Sequence, residues 1–112
     1  MEKSNLLYRL LSLPLVYHFS QFIMSATSFR NATIKKYVKE KKNLRILDIG
    51  CGPAEILKNF NKINYYGFDT NLNYINYARK KYKNKNPKLY CRRFLKKDSI
   101  NLPKMDYVLL FG

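Results

Sequence analysis

The apolar positions change period along the chain, and the change divides it in two. From residue 5 to residue 41 they recur at helical spacing. Leu6, Leu7, Leu10 and Leu11 open the pattern, and Ser12 with Pro14 supplies a helix restart at its first turn. Val16, Phe19 and Phe22 continue an apolar face, and Phe29, Ile34, Tyr37 and Val38 make another. Lys39 to Asn43 is a polar, charged link. The pattern predicts a helical lead-in over residues 1–43, built from two or three helices.

From residue 44 the runs shorten and lose the helical period. Leu44 to Ile49 is an apolar run with a single Asp, followed at once by Gly50 and Gly52, which reads as a buried parallel strand ending in a tight turn. A short helix is expected over Ala54 to Ile63, and a second strand over Asn64 to Phe68. Leu72, Ile75, Ala78 and Tyr82 mark an amphipathic helix with a basic outer face, stopped by Asn84 to Pro87. A third strand is expected over Lys88 to Leu95 and a fourth over Asp106 to Phe111. Strands that alternate with helices predict an α/β fold with a parallel sheet, occupying residues 44–112.

Charge adds one feature to this picture. The 112 residues hold 22 Lys and Arg against 7 Asp and Glu, a formal charge of +15. A polyanion partner, nucleic acid or an anionic membrane, is one reading. The other is compositional: the chain is rich in Lys, Asn, Ile, Tyr and Phe together, and its basic residues are scattered over several segments. Composition alone therefore names no function.

Cys51 and Cys91 have no CxxC or Cys/His spacing, and His18 is the single histidine, so no metal site is expected. Unpaired cysteines fit a reduced, cytoplasmic chain. Arg9, Pro14, His18 and Gln21 interrupt the apolar stretch Leu6 to Met24, which excludes the run of about 18 apolar residues that a membrane span needs. The same breaks and a weakly basic head argue against a signal peptide.

The acidic residues carry the chemistry. Gly50 and Gly52 let the backbone approach a ligand closely, because no Cβ intervenes. In dinucleotide enzymes such a turn is Gly-x-Gly-x-x-Gly and holds a pyrophosphate. Here Glu55 stands at the third glycine's position, and Asp48 precedes the loop. Both are poor neighbours for a diphosphate and suit a cationic or hydroxyl-rich ligand. Asp69 ends the second strand about 20 residues after the loop, the placement from which a carboxylate reaches ribose hydroxyls. Asp98 and Ser99 follow the third strand. Three of seven acidic residues thus fall at the ends of three successive strands. Each has a plainer reading: a strand-to-helix turn needs Gly, Asp69 serves as a helix cap, and Asp98 as a turn residue. Their joint placement is the specific signal.

Ile46 to Pro53 (ILDIGCGP) resembles the first motif of class I S-adenosylmethionine-dependent methyltransferases. Tyr66-Gly67-Phe68-Asp69 resembles their acidic second motif, Lys97-Asp98-Ser99 the third, and Asp106 to Gly112 the fourth strand of their Rossmann-like sheet. The resemblance implies S-adenosyl-L-methionine as cofactor. Asp48, Gly50, Cys51 and Gly52 would serve its methionine moiety, Asp69 the ribose, and Asp98 the adenine amino group, with Thr70 and Ser99 flanking the adenosine. Ala54 departs from the family loop, where a further glycine is common; its small methyl predicts tolerance.

The family sheet has seven strands, and the resemblance here covers four. This implies the cofactor half of a methyltransferase, a fragment whose fourth strand leaves an unpaired edge open to association. A small-molecule methyl acceptor is the leading reading, with Tyr8, Tyr17 and His18 of the lead-in available to close over the site. A nucleic-acid methyltransferase ranks second: amino-methylating members follow the fourth strand with Asn or Asp, Pro, Pro and an aromatic, and Phe111-Gly112 begins that loop differently. A non-catalytic remnant or split subunit is third, and a nicotinamide enzyme last. No catalytic residue is assigned.

Overall fold

A computed structural model of the chain describes residues 28–110. Tyr8, Tyr17 and His18, with most of the predicted lead-in, lie outside the described residues. Helix α1 is helical over residues 28–37. It is followed by strand β1 (Arg45–Ile49), a 3-10 turn (Glu55–Asn59), β2 (Asn64–Phe68), α2 (Leu72–Lys81), a second 3-10 turn (Lys83–Lys85), β3 (Lys88–Tyr90), α3 (Lys96–Asn101) and β4 (Tyr107–Leu110). The four strands form one parallel sheet in the order β3-β2-β1-β4. The expected α/β class and parallel sheet are therefore what the chain folds into.

β1 is the spine because its residues are apolar on both faces. Ile46 and Leu47 are both buried, and the strand pairs with β2 on one side and β4 on the other. Side-chain alternation then sorts the core into two layers. On one face Leu44, Ile46, Tyr65, Leu89 and Leu109 pack with Ile34 and Val38 of the α1 segment, Leu57 and Phe60, and Ile75 and Ala78 of α2. On the other face Leu47, Tyr66 and Phe68 pack with Tyr90, Phe94, Leu102 and Met105. Each such fully buried aliphatic side chain contributes about 1.5–3 kcal/mol. The first layer is the larger, and it is the one that carries the glycine loop.

The expected apolar face of the lead-in is narrower than its sequence pattern. Ile34 and Val38 are buried, whereas Phe29 and Tyr37 are exposed. In α2, Leu72 is likewise exposed while Ile75, Ala78 and Tyr82 pack inward.

Two elements differ more. The helix expected over residues 54–63 is a single 3-10 stretch. Asn59 Nδ2 donates to the Ile56 carbonyl, and Lys85 Nζ donates to the carbonyls of Leu57 and Phe60, so side chains take the acceptors that a longer helix would use. The third strand stops at Tyr90 instead of Leu95. Beyond it the Arg92 guanidinium lies over the Phe68 and Tyr90 rings and pairs with Asp98, while Phe94 packs edge-on against Phe68 at 5.1 Å. These contacts pull the chain off the sheet edge.

Candidate functional site

The loop after β1 is shaped by its backbone. Gly50, Gly52 and Ala54 all take left-handed φ values, of 75°, 56° and 57°. Alternating them with Cys51 and Pro53 curls the chain tightly over the strand ends. Position 54 therefore calls for the conformation glycine adopts most easily, and alanine holds it at a backbone cost of about 1–2 kcal/mol.

The loop is stitched to β2. The amides of Gly50 and Cys51 both donate to the Phe68 carbonyl, at 2.8 and 3.0 Å. The Gly52 amide donates to Asp69 Oδ2 at 2.9 Å, and Asp69 Oδ1 accepts from the Asn71 amide at 2.8 Å. All three loop N–H groups are thus spent within the protein. A short 3-10 turn follows the loop, and the Cys51 carbonyl accepts from the Ala54 amide while the Gly52 carbonyl accepts weakly from Cys51 Sγ. With its amides spent, the loop offers a diphosphate no backbone donor, and the Asp69 carboxylate beside it suits a hydroxyl or a cation.

Asp69 is not the cap of α2. That role falls to Asn71, whose side chain accepts from the Tyr74 amide at 3.2 Å. Asp69 stays at the strand end, half-buried, with two of its lone pairs committed and others open to further donors.

Beneath the loop lies Asp48, buried, accepting from the Tyr65 hydroxyl at 2.6 Å. Burial pushes its carboxyl up to about 6; the Tyr65 hydrogen bond and the Arg30 charge pull the other way, and the Asp69 charge adds to the rise. Burial, followed by the charges of Asp48 and Asp69, pushes the Cys51 thiol up to about 12. Cys51 therefore stays a thiol, its Sγ donating weakly to the Gly52 carbonyl at 3.5 Å. It packs the loop and is no nucleophile.

Three residues outside the sequence-based set complete the site. Tyr65 is one. Gly67 is another: a Cβ there would stand 2.8 Å from Tyr65 Cε1 and 2.9 Å from Cys51 Sγ, so its absence lets both pack under the loop. A glycine inside a strand was the available signal. The third is Arg30 of α1, whose guanidinium comes to 3.9 Å from the point where a Gly52 Cβ would be. With Asp48, Cys51, Pro53, Glu55 and Ile56 it lines a cavity of about 20 Å³, too small for a nucleoside. A ligand of that size would therefore lie outside this cavity, over the strand ends.

Glu55 is not an isolated charge beside the loop. It accepts from Lys81 Nζ at 3.0 Å and from the Tyr82 hydroxyl at 2.6 Å, tying the 3-10 turn to α2. Glu55 therefore adds no unpaired charge beside the loop.

The third predicted cluster is placed differently. Asp98 is buried in the first turn of α3, where its Oδ2 accepts from Arg92 and from the Leu95 amide, both at 2.7 Å. The Arg92 bond holds its carboxyl below the usual range. Ser99 is exposed and donates to the Lys96 carbonyl at 2.6 Å. Thr70 is exposed, and its carbonyl receives a weak bond from Cys91 Sγ at 3.6 Å that brings the β3 end beside the β2 end. The structure therefore joins Asp48, Gly50, Cys51, Gly52 and Asp69 directly, while Thr70 follows β2 and Asp98 and Ser99 lie in α3, with Asp98 held to Arg92 just past β3. Among the described residues no group of three or more His, Cys, Asp or Glu could hold a metal ion, and no helix is long and apolar enough to cross a membrane.

A strand–loop–strand built this way, on a parallel β3-β2-β1-β4 sheet, has a family. Residues 40–111 match the model of a methyltransferase domain, and the chain belongs to that family. Two solved structures of the plantazolicin methyltransferase BpumL are also similar, one in complex with monoazolic desmethylPZN analog and SAH, the other with the triazolic analog and SAH. Each is 24% identical, with a TM-score of 0.40, and the match covers 75% of this chain. The chain spans about a third of those proteins, 31% of their length. No curated protein matches the sequence.

Proposed function

We propose that this chain is the cofactor-binding part of an S-adenosylmethionine-dependent methyltransferase that acts on a small-molecule acceptor. The observation that carries the reading is the bond from the Gly52 amide to Asp69 Oδ2 at 2.9 Å. It fixes an acidic strand end against a donor-free glycine loop, the combination suited to an adenosyl ligand with an ammonium and no phosphate. Family membership supports the same chemistry.

The residues fit the cofactor group by group. Asp69 would accept from the ribose hydroxyls with the lone pairs that Gly52 and Asn71 leave. The remaining lone pairs of the Gly50 to Gly52 carbonyls would take the ammonium, and Arg30 the carboxylate. Asp48 and Tyr65 would act from below by fixing the loop. Thr70 and Ser99 would border the adenosine, and Asp98 would meet the adenine amino group beside Arg92. When bound, S-adenosylmethionine supplies a methyl group on a sulfonium centre for in-line displacement, a reaction that depends on positioning and exclusion of water. The unpaired cysteines support a reduced, cytoplasmic setting.

Calorimetry with S-adenosylhomocysteine tests the reading. Binding with a Kd of micromolar order is expected, weakened at least tenfold by Asp69→Asn, which keeps the side chain's size while removing the charged acceptor pair. No binding by the folded chain, or no change in the variant, would overturn it. The apolar outer side of β4, where Val108 and Leu110 are 54% and 72% exposed, supports association through that edge. Sedimentation showing a monomer at every concentration would count against that part.

A further inference from the structure

A groove of about 830 Å³ opens at the end of the sheet opposite the glycine loop. Its walls are the residues that lead into β1 and β2 and the 3-10 turn that follows α2. Lys41, Lys42, Lys62 and Lys85 line it, against one acid, Glu40. Both Glu40 oxygens are already committed, accepting from the amides of Asn61 at 2.8 Å and Lys62 at 3.0 Å. Lys85 is fixed in the wall by its bond to the Leu57 carbonyl at 2.7 Å, and it contributes charge without reaching out. Lys41 makes an exposed pair with Asp106 at 3.3 Å, the kind of pair that a stronger anion displaces at little cost. Lys42 and Lys62 are exposed, and their side chains have no hydrogen-bond or ion-pair partner among the described residues.

Asparagines fill the rest of the lining. Asn43, Asn61, Asn64, Asn84 and Asn86 are all exposed, and their carboxamides make no hydrogen bond among the described residues. Each offers donors and an acceptor together. Lysine charge interleaved with amides is the set that binds a phosphodiester backbone and the sugar and base edges beside it. An anionic membrane would call for an apolar wedge as well, and the single apolar lining residue, Ile63, is half-buried. Of the acids among the described residues, Asp48, Glu55, Asp69 and Asp98 lie at the far strand ends or beyond them, while Glu40 and Asp106 at the groove end are both engaged.

We propose that this groove binds nucleic acid through its phosphodiester backbone. The site is separate from the glycine loop and stands whether or not the methyl-transfer reading holds.

Fluorescence anisotropy with a labelled twelve-nucleotide polyuridylate and the full chain tests it. The three exposed lysines Lys41, Lys42 and Lys62 predict that affinity falls roughly twentyfold between 50 and 200 mM salt. The double variant Lys42→Glu/Lys62→Glu should lose at least tenfold in affinity with an unchanged circular dichroism melt. The double variant Lys96→Glu/Lys97→Glu, with the same change of charge on α3, should lose much less. Equal losses in the two variants would mean unlocalised attraction to net charge and would overturn the proposal. So would absence of polyuridylate binding, or groove-dependent binding to phosphatidylserine vesicles alone.

Discussion

The Tyr65 hydroxyl on β2 reaches across to Asp48 Oδ2 on β1, at 2.6 Å. In the sheet register Asp48 lies opposite Gly67, two residues beyond Tyr65 on the same face. The phenol ring occupies the space that a side chain at position 67 would fill. A carboxylate, a phenol and a missing Cβ therefore form one unit, and the glycine loop rests on it through Cys51.

That unit gives a pH dependence with a definite sign. Asp48 titrates near 3.8 when unfolded and at about 6 when folded. The folded state thus holds the proton more tightly, and its contribution is complete below about pH 4 and lost as pH rises through 6. A shift of this size corresponds to about 3 kcal/mol. Asp48→Asn removes the dependence while keeping an acceptor for Tyr65. Urea unfolding should show the variant gaining on the parent by about 2–3 kcal/mol between pH 4 and pH 8. Glu40, Glu55, Asp98 and Asp106, whose carboxyls are lowered, titrate in both proteins and cancel in the difference. A constant difference across that range would show that burial does not hold the Asp48 proton.

Gly67→Ala should be disruptive although alanine is small. Its Cβ would meet Tyr65 Cε1 at 2.8 Å, Cys51 Sγ at 2.9 Å and Leu89 Cδ2 at 3.0 Å, none of which ends a flexible chain in open space. A loss of about 1–3 kcal/mol is expected from overpacking. Thermal melts of Gly67→Ala beside Tyr65→Phe separate the two halves of the unit. Tyr65→Phe keeps the packing and leaves Asp48 short of a donor, which costs about 1–3 kcal/mol. Should Gly67→Ala melt like the parent, the ring does not need that space.

The parts of this fold that could be read in advance are those set by local pattern. The Asn64–Phe68 strand follows from its apolar run, and α2 from the spacing of Ile75, Ala78 and Tyr82. Asp69 was legible because a strand end fixes where its side chain must be. The failures share a cause: a side chain far away in sequence decides them. Lys85 takes the carbonyls that would have prolonged the Glu55 helix, and Asp98 draws Arg92 off the third strand. Glu55 was weighed as a lone charge because nothing in the pattern shows Lys81 and Tyr82 folding back onto it. Arg30 was missed for the same reason, since its place over Gly52 depends on how α1 docks.

Ala54 separates backbone demand from side-chain demand. Its φ of 57° costs alanine about 1–2 kcal/mol relative to a right-handed conformation, a cost glycine avoids. Against that, glycine adds about 0.5–1 kcal/mol of chain entropy and gives up a buried methyl worth about 0.8 kcal/mol. These terms nearly cancel, so Ala54→Gly should leave stability within about 1 kcal/mol, in keeping with a tolerated methyl. Ala54→Val has no such balance: a branched side chain meets a left-handed backbone in a fully buried place, and a loss of about 3 kcal/mol or more is expected. Equal melting of all three proteins would show that the loop relaxes its φ angles in solution.

Arg30 connects the helical segment to the glycine loop, and its effect can be isolated by ligand chemistry. Its charge lowers the Asp48 carboxyl, so the guanidinium acts at the loop itself. If it also receives the amino-acid carboxylate of the ligand, Arg30→Ala should weaken S-adenosylhomocysteine at least tenfold, the usual scale for a lost charge-assisted bond. 5′-Methylthioadenosine keeps the adenosine and lacks that carboxylate, so its affinity should stay within about twofold of the parent. Loss of both ligands together would mean that Arg30 supports the loop, and loss of neither would remove it from the site. The two titrations therefore assign the residue to ligand, scaffold or neither, without any appeal to turnover.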